Sequence, residues 1–268
     1  MEKYSAPYTK FAAAYDKIMH NVDYVKWVNY IRSLFMHYRC EPHRILELAC
    51  GTGTVMVQLA KYGYEMWGLD RAAEMLESAQ KKADKTGQKI ELFQGDMRDF
   101  SFDEKFDAVL CLYDSINYIL EKDEMAQVFE NVYNVLEPNG LFIFDVTTER
   151  NIVQHFHLQT FAENEDDFSY IWKNVYSYRD RICRTVLTFF LRENDDSFKR
   201  YEELHLQKIF EVNEIEDLLE KTGYKLLSAF DAFSMRKWNK DSDRINFTAR
   251  KIDNCKREKQ DAEDVLPA

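Results

Sequence analysis

The chain is short of several features that would set it apart from ordinary globular proteins. Its five cysteines (Cys40, Cys50, Cys111, Cys183, Cys255) are scattered, odd in number and without a C-x-x-C pair. Neither a disulfide framework nor a zinc site is therefore indicated. Cys50 and Cys111 lie inside apolar runs, where a thiol acts as a small hydrophobe. No run approaches the roughly 18 consecutive apolar residues of a membrane span. The opening MEKYSAPYTKFAAAYDKIMH holds no apolar stretch of signal-peptide length. No G-x-x-x-x-G-K-[ST] occurs, so a P-loop is unsupported. Basic charge is in deficit too, with 36 Lys+Arg against 47 Asp+Glu and a net charge of −11. That argues against affinity built on neutralising phosphates, although a local basic patch can survive a negative total. The expectation is a cytoplasmic protein without a membrane or nucleic-acid partner.

What is present fits a packed globular chain: 268 residues, 46% hydrophobic and 15% aromatic. That length suits one large α/β domain with a smaller appendage. The charge is unevenly spread. Residues 1–150 hold 17 basic and 24 acidic side chains, residues 151–220 hold 8 and 15, and residues 221–268 hold 11 and 8. The middle stretch matches the deficit of the much longer one before it, which suggests a separate unit.

Residues 44–151 alternate short apolar runs with helix-period segments, the pattern of parallel strands joined by helices. Strands are expected at Ile45–Ala49, Tyr64–Leu69, Lys89–Gln94, Phe106–Leu112 and Leu141–Val146. Phe106–Leu112 is apolar enough for burial on both faces. Asp123 is the expected N-cap of the helix before the Pro138-Asn139-Gly140 turn. After residue 160 the pattern changes. Phe168, Tyr170, Trp172, Tyr176 and Tyr178 recur at even positions, giving a strand one aromatic face. Ile182–Leu191 and Phe198–Phe210 complete an expected three-stranded antiparallel meander. Asn213-Glu214-Ile215-Glu216 resembles a capping box, and strands at Tyr224–Ala232 and Arg244–Arg250 return to the main sheet.

Chemistry concentrates at strand ends. Cys50-Gly51-Thr52-Gly53 follows the first strand and opens a helix, and its glycines let backbone pass close to a ligand. The dinucleotide fingerprint needs a third glycine where Met56 stands, so a pyrophosphate site lacks its diagnostic feature. Asp70 ends the second strand, where an acceptor-only carboxylate can take both ribose hydroxyls. Asp96 ends the third, placed to accept an adenine amino group. Each aspartate alone is common in strand-exit turns. Together with the glycine loop they describe an adenosine site.

On these residues the sequence resembles the class I S-adenosylmethionine (SAM) dependent methyltransferases. Glu47-Leu-Ala-Cys-Gly51-Thr-Gly53 matches their first motif, with Ala49 where many members carry glycine. Asp70, Asp96-Met97, Phe106-Asp107-Ala-Val-Leu and Leu136-Glu-Pro-Asn-Gly140-Leu-Phe match later ones. The resemblance spans roughly residues 40–150 and 205–250. It implies an α/β Rossmann-like sheet of seven strands, the last antiparallel, with an inserted antiparallel β meander. The expected units are lid helices over 1–40, a SAM-binding domain over 41–155 and 206–252, a β-insert capping the acceptor site over 156–205, and a polar tail over 253–268. The implied cofactor contacts are Tyr15, Glu47, Ala49, Gly51, Gly53, Asp70, Arg71, Met75, Asp96, Met97 and Leu112.

More loosely, Tyr8-x-x-Phe11-Ala12-x-x-Tyr15-Asp16 resembles the lid of small-molecule methyltransferases. The meander resembles the insert of bacterial N-methyltransferases, including those acting on nucleotide-linked amino sugars. This implies a small-molecule acceptor, amine nitrogen favoured, met by Tyr8, Asp114, Ser115, Asn117 and Trp172. The Asn/Asp-Pro-Pro-Tyr signature of base-amino methyltransferases is absent.

Two residues are candidates for catalysis. Tyr15 could face the sulfonium through a cation–π contact, although the bland alternative is packing of an amphipathic stretch. His205 shares a strand face with Glu203 and Gln207, and a lone histidine on a polar face is more often at the surface. His155 and His157 mimic metal spacing without a carboxylate cluster, and no metal is expected. A homodimer is compatible with the sequence. Rival readings are a nicotinamide oxidoreductase, opposed by Met56 and Asp96, a non-catalytic SAM or partner binder, and an RNA or protein methyltransferase, disfavoured by the acidic insert.

Overall fold

The computed structural model describes residues 4–5, 7–8, 11–193 and 197–252, and the expected polar tail over 253–268 lies outside them. Its centre is a seven-stranded sheet in the order β10-β11-β5-β4-β1-β2-β3. The strands are β1 (Arg44–Leu48), β2 (Glu65–Asp70), β3 (Ile90–Gln94), β4 (Phe106–Cys111), β5 (Leu136–Thr147), β10 (Tyr224–Asp231) and β11 (Arg244–Lys251). β1 to β5 run parallel, and β11 pairs antiparallel with both β5 and β10. β4 lies mid-sheet with Phe106 and Ala108–Cys111 fully buried, which is why its sequence is a continuous apolar run rather than an alternation.

Helices cover both faces. On one, α2 (Tyr24–His37) and α3 (Thr54–Ala60) bury Trp27, Ile31, Leu34, Phe35, Met56 and Leu59 against the strands. On the other, α5 (Lys122–Val135) and, beyond the single turn α6 (Glu149–Asn151), α7 (Val212–Lys221) contribute Val128, Phe129, Ile215 and Leu219. α4 (Ala73–Thr86) ends at Gly87, which takes the left-handed conformation that favours glycine there.

Local details differ from expectation in four places. Asp123 does not cap α5; Glu121 holds the N-cap and Asp123 sits in the first turn, where its charge still suits the helix dipole. The capping box of α7 pairs Glu211 with Glu214, two residues before the expected start. Pro138-Asn139-Gly140 interrupts β5 from within, as its pairing with β4 jumps from Phe106–Leu136 to Ala108–Leu141. The insert has four strands, not three: β6 (Thr160–Asn164), β7 (Phe168–Ser177), β8 (Ile182–Arg192) and β9 (Phe198–Lys208), in sequential antiparallel order. β6 was missed because it is a polar, mostly exposed edge strand with no buried face to impose a period.

The insert turns the even-numbered face of β7 inward. Phe168, Leu187 and Phe189 pack there with Phe11, Ala14 and Ile18 of α1 (Ala12–Ile18) and its approach. Lys17 adds an ion pair with Asp167. The N-terminal helix, whose Ala12 packs on Met75, is therefore clamped between the insert and α4. No helix among the described residues is long and apolar enough to cross a membrane.

Candidate active site

A cavity of about 260 Å³ opens at the carboxyl ends of β1 to β4, the edge where a doubly wound sheet places its ligand. Its remaining walls come from the N-terminal segment and from the inward face of β7, β8 and β9.

At one end stands the turn after β1. Ala49, Gly51 and Gly53 all have positive φ (50°, 55° and 68°), which brings the backbone around the end of the sheet. Asp70 holds this turn: its Oδ2 accepts the Gly51 N–H at 2.8 Å and its Oδ1 accepts the Ala72 N–H at 2.9 Å. Burial raises its pKa, and the backbone donors oppose that rise. A carboxylate offers about four acceptor sites, so capacity remains for a ligand. Glu47 is 5% exposed, and its Oε2 has no hydrogen-bond partner among the described residues. Burial, then the charge of Asp70, pushes its pKa up to about 8. An unpaired buried carboxyl in a cavity wall is stabilised by a cation. A ligand with a ribose and a positively charged group fits these residues.

Arg71, Met75, Met97 and Leu112 line the same end. Asp96 also lines it, but Arg98 grips the carboxylate through its backbone N–H, Nε and Nη2 at 2.7–3.0 Å. Burial raises the Asp96 carboxyl, and Arg98 more than offsets this, leaving it below its ordinary value. Gly53 is not in the lining. A Cβ there would lie 2.9 Å from that of Ala79, so this glycine sets the approach of α3 to α4.

The N-terminal helix is tied to the glycine turn by residues that sequence reading passed over. Thr52 Oγ1 donates to Asp16 at 2.6 Å, and Lys82 Nζ reaches Asp16 Oδ2 at 2.9 Å and Thr54 Oγ1 at 2.5 Å. Asp16 closed the lid motif and was a usable signal, whereas Lys82 lies on α4 with nothing to distinguish it. Tyr15 lines the cavity with its ring 6.0 Å from that of Tyr8. Burial raises its hydroxyl well above the ordinary value, so it remains protonated at neutral pH.

At the far end, Tyr113 and Asp114 adopt consecutive left-handed conformations (φ 62° and 51°), a costly arrangement for non-glycine residues. It is held because both backbone N–H groups donate to the Asp145 carboxylate, at 2.7 and 2.9 Å. Arg244 pairs with Asp114 at 2.6 Å and with Asp145, and Gln207 donates to Asp114. Asp114 and Ser115 line the cavity, the serine donating to Leu112 O at 2.7 Å. Asn117, expected on the acceptor side, lies outside the lining. It is 1% exposed, donates to Lys208 O at 2.8 Å and accepts the Thr147 N–H at 3.1 Å, and so braces β5 against β9. The aromatic stripe divides: Trp172 lines the cavity with Nε1 bonded to Asn174 at 2.7 Å, whereas Tyr176 is buried in a separate cluster with Ile152 and Cys183.

The face carrying Glu203, His205 and Gln207 points inward, contrary to the reading of a solvated polar face. Glu203 and His205 are 0% and 6% exposed. His205 Nδ1 lies 3.0 Å from the Tyr118 hydroxyl, and that hydroxyl lies 2.5 Å from the Tyr8 hydroxyl. His155 and His157 do not converge. His155 stands 3.6 Å from Asp243, and His157 Nδ1 accepts the Tyr176 N–H at 3.0 Å.

A parallel sheet ending in one reversed strand, with acidic strand ends around a cavity and no pyrophosphate fingerprint, defines the class I methyltransferases. Residues 45–140 match the methyltransferase domain family. Over 245 residues the chain is 36% identical to "Putative methyltransferase YqeM" of Bacillus subtilis (strain 168), covering 91% of this chain and 97% of that one. The crystal structure of a S-adenosylmethionine-dependent methyltransferase from Clostridium acetobutylicum ATCC 824 is similar with a TM-score of 0.81 at 31% identity, over 91% of this chain and 98% of that one. A match of 124 residues at 32% identity joins the chain to dTDP-3-amino-3,4,6-trideoxy-alpha-D-glucopyranose N,N-dimethyltransferase of Streptomyces venezuelae, over 46% of this chain and 50% of that one. The chain belongs to the SAM-dependent methyltransferases. It is an enzyme, and SAM is its cofactor.

Proposed function

We propose that the enzyme methylates an amine nitrogen of a small molecule. The observation that carries this reading is the walling of the cavity opposite the glycine turn by Tyr8, Trp172, Thr185, His205 and Gln207, from the N-terminal segment and the insert. With cofactor and acceptor sharing one cavity of about 260 Å³ that is walled on its far side, the site suits a compact acceptor better than a polymer. Asp114 lies on the acceptor side of the lining, and the Streptomyces venezuelae relative is named for an N,N-dimethylation.

In this reading Asp70 takes the ribose hydroxyls, Asp96 and Met97 meet the adenine, and Ala49, Gly51, Arg71, Met75 and Leu112 shape the pocket around them. Glu47 faces the ammonium, and the Tyr15 ring lies toward the sulfonium. The cofactor supplies a methyl group on a positively charged sulfur, already activated for displacement. The protein has to align acceptor, methyl and sulfur in a dry site, and orientation of that kind is worth about 7–11 kcal/mol in favourable systems. Trp172 and Tyr8 exclude water on the acceptor side, and His205 takes the proton that the amine must shed.

A screen with methyl-labelled SAM over amines, amino sugars and hydroxyl compounds tests this. Labelled N-methyl product is expected. Exclusive O-methylation would overturn the amine assignment, and label confined to RNA or protein would overturn the small-molecule reading.

A further inference from the structure

The N-terminal segment and the insert meet at one buried carboxylate. Glu203 on β9 accepts the Tyr8 N–H on Oε2 at 2.8 Å and the Phe11 N–H on Oε1 at 3.1 Å. Beside them the Ser5 N–H donates to Glu202 O at 2.9 Å. This segment is thus strapped onto β9. The strap holds Tyr8 at a φ of 66°, a conformation that a tyrosine adopts only under constraint. The constraint sets its side chain in the cavity wall, with the hydroxyl 2.5 Å from that of Tyr118 and the ring edge-on to His205 at 4.9 Å. The Tyr118 hydroxyl lies 3.0 Å from His205 Nδ1, and His205 Nε2 lies 3.2 Å from Glu203 Oε2. That last contact has an ion-pair distance without hydrogen-bond alignment, a looseness common in catalytic sites before substrate binds.

We propose that Tyr8, Tyr118 and His205, backed by Glu203, form a proton relay from the acceptor nitrogen, completed only when the N-terminal strap is seated. The proposal rests on the amine reading above for the acceptor, and Glu203 is its positioning residue. The acceptor enters as an ammonium; its proton goes to the Tyr8 oxygen, that of Tyr8 to Tyr118, and that of Tyr118 to His205 Nδ1. The lone pair so freed forms the N–C bond as the S–C bond breaks with its electron pair going to sulfur, and the positive charge passes from sulfur to nitrogen. The imidazolium forms beside the Glu203 carboxylate and returns its proton to solvent after product release. Burial holds both tyrosine hydroxyls far above their ordinary pKa, so they pass a proton on rather than rest as phenolates. The other groups facing this line are Asp114, with Arg244 paired to it, Asp70 and Tyr15.

Tyr118→Phe removes one link and leaves the strap's bonds to Glu203 in place. With an amine acceptor, kcat/KM at pH 7 should fall about 10²-fold. The deficit should shrink to less than about 3-fold above the acceptor's own amine pKa, with SAM affinity by calorimetry within about 2-fold of wild type, since above that pKa the amine arrives deprotonated. No deficit, or one that is constant with pH, would overturn the relay. A second measurement is independent of the acceptor. Imidazole ¹⁵N spectra of the full chain should show His205 protonated on Nε2 and bare on Nδ1, with the Nδ1 signal moving in Tyr118→Phe. A protonated Nδ1, or an unmoved signal, overturns the relay as well. If wild type turns over no amine, the acceptor reading fails while these spectra still decide the relay.

Discussion

Arg244 on the last strand pairs with Asp145, a carboxylate on β5 that is wholly buried. Burial pushes the Asp145 carboxyl up, and Arg244 pulls it back. The same guanidinium reaches Asp114, so one cation serves two acids beneath the acceptor end of the cavity. Arg244→Met should therefore destabilise the protein by about 3–5 kcal/mol, the cost of leaving a buried charge unpaired. At about 2–4 °C per kcal/mol for a chain of this size, the melting temperature should drop by roughly 10 °C. Thermal unfolding followed by circular dichroism checks this, and an unchanged melting temperature would refute the pairing as a structural tie.

Asp70→Ala removes the acceptor of the Gly51 and Ala72 amides together with the proposed ribose contact. Charge-assisted hydrogen bonds contribute about 1.5–3 kcal/mol each. SAM affinity measured by calorimetry should fall by at least about tenfold, and unchanged affinity would sink the ribose assignment.

The sign of the Glu47 effect follows from its pKa of about 8 in the folded protein, against about 4.3 for an unfolded glutamate. The folded state holds the proton more tightly, so this residue erodes stability as pH rises from about 4.5 through 8. Glu47→Gln should raise the melting temperature at pH 8 more than at pH 5. If a bound ammonium faces Glu47, SAM binding at pH 7 should release protons, seen as binding heats that differ between buffers of different ionisation enthalpy. Equal heats would mean that Glu47 does not ionise on binding.

Trp172 stands on the insert, away from Asp70 and Glu47. Trp172→Ala should raise the acceptor KM about tenfold or more while SAM affinity stays within about 2-fold, because a large aromatic wall is lost on one side only. Equal losses for both ligands would argue against a division of the cavity between sheet and insert.

Asp70 and Gly51 were legible in the sequence because a parallel strand is an apolar run with an abrupt polar end, and that end is where the sheet presents its ligand edge. β4 was legible for the same reason. His205 and Glu203 were not. Alternation identifies two faces of a strand but not which one turns inward, and on β9 the face carrying Leu204 and Leu206 is the more exposed one. Asn117 misled by position: it follows β4 at the cavity mouth, yet its amide is spent on two backbone groups. The Glu203 strap depends on partners 195 residues apart, a juxtaposition that no local pattern encodes.

That separation bears on how the protein is made. The segment that closes the cavity is synthesised well before Glu202 and Glu203, on which it seats and which come roughly 200 residues later. At about 5–20 residues per second, the closing segment waits roughly 10–40 s for its anchor. The glycine turn and β1 to β5 are complete well before then. A growing chain can therefore assemble its cofactor edge while still attached to the ribosome, but it gains an enclosed acceptor chamber only once β9 has emerged.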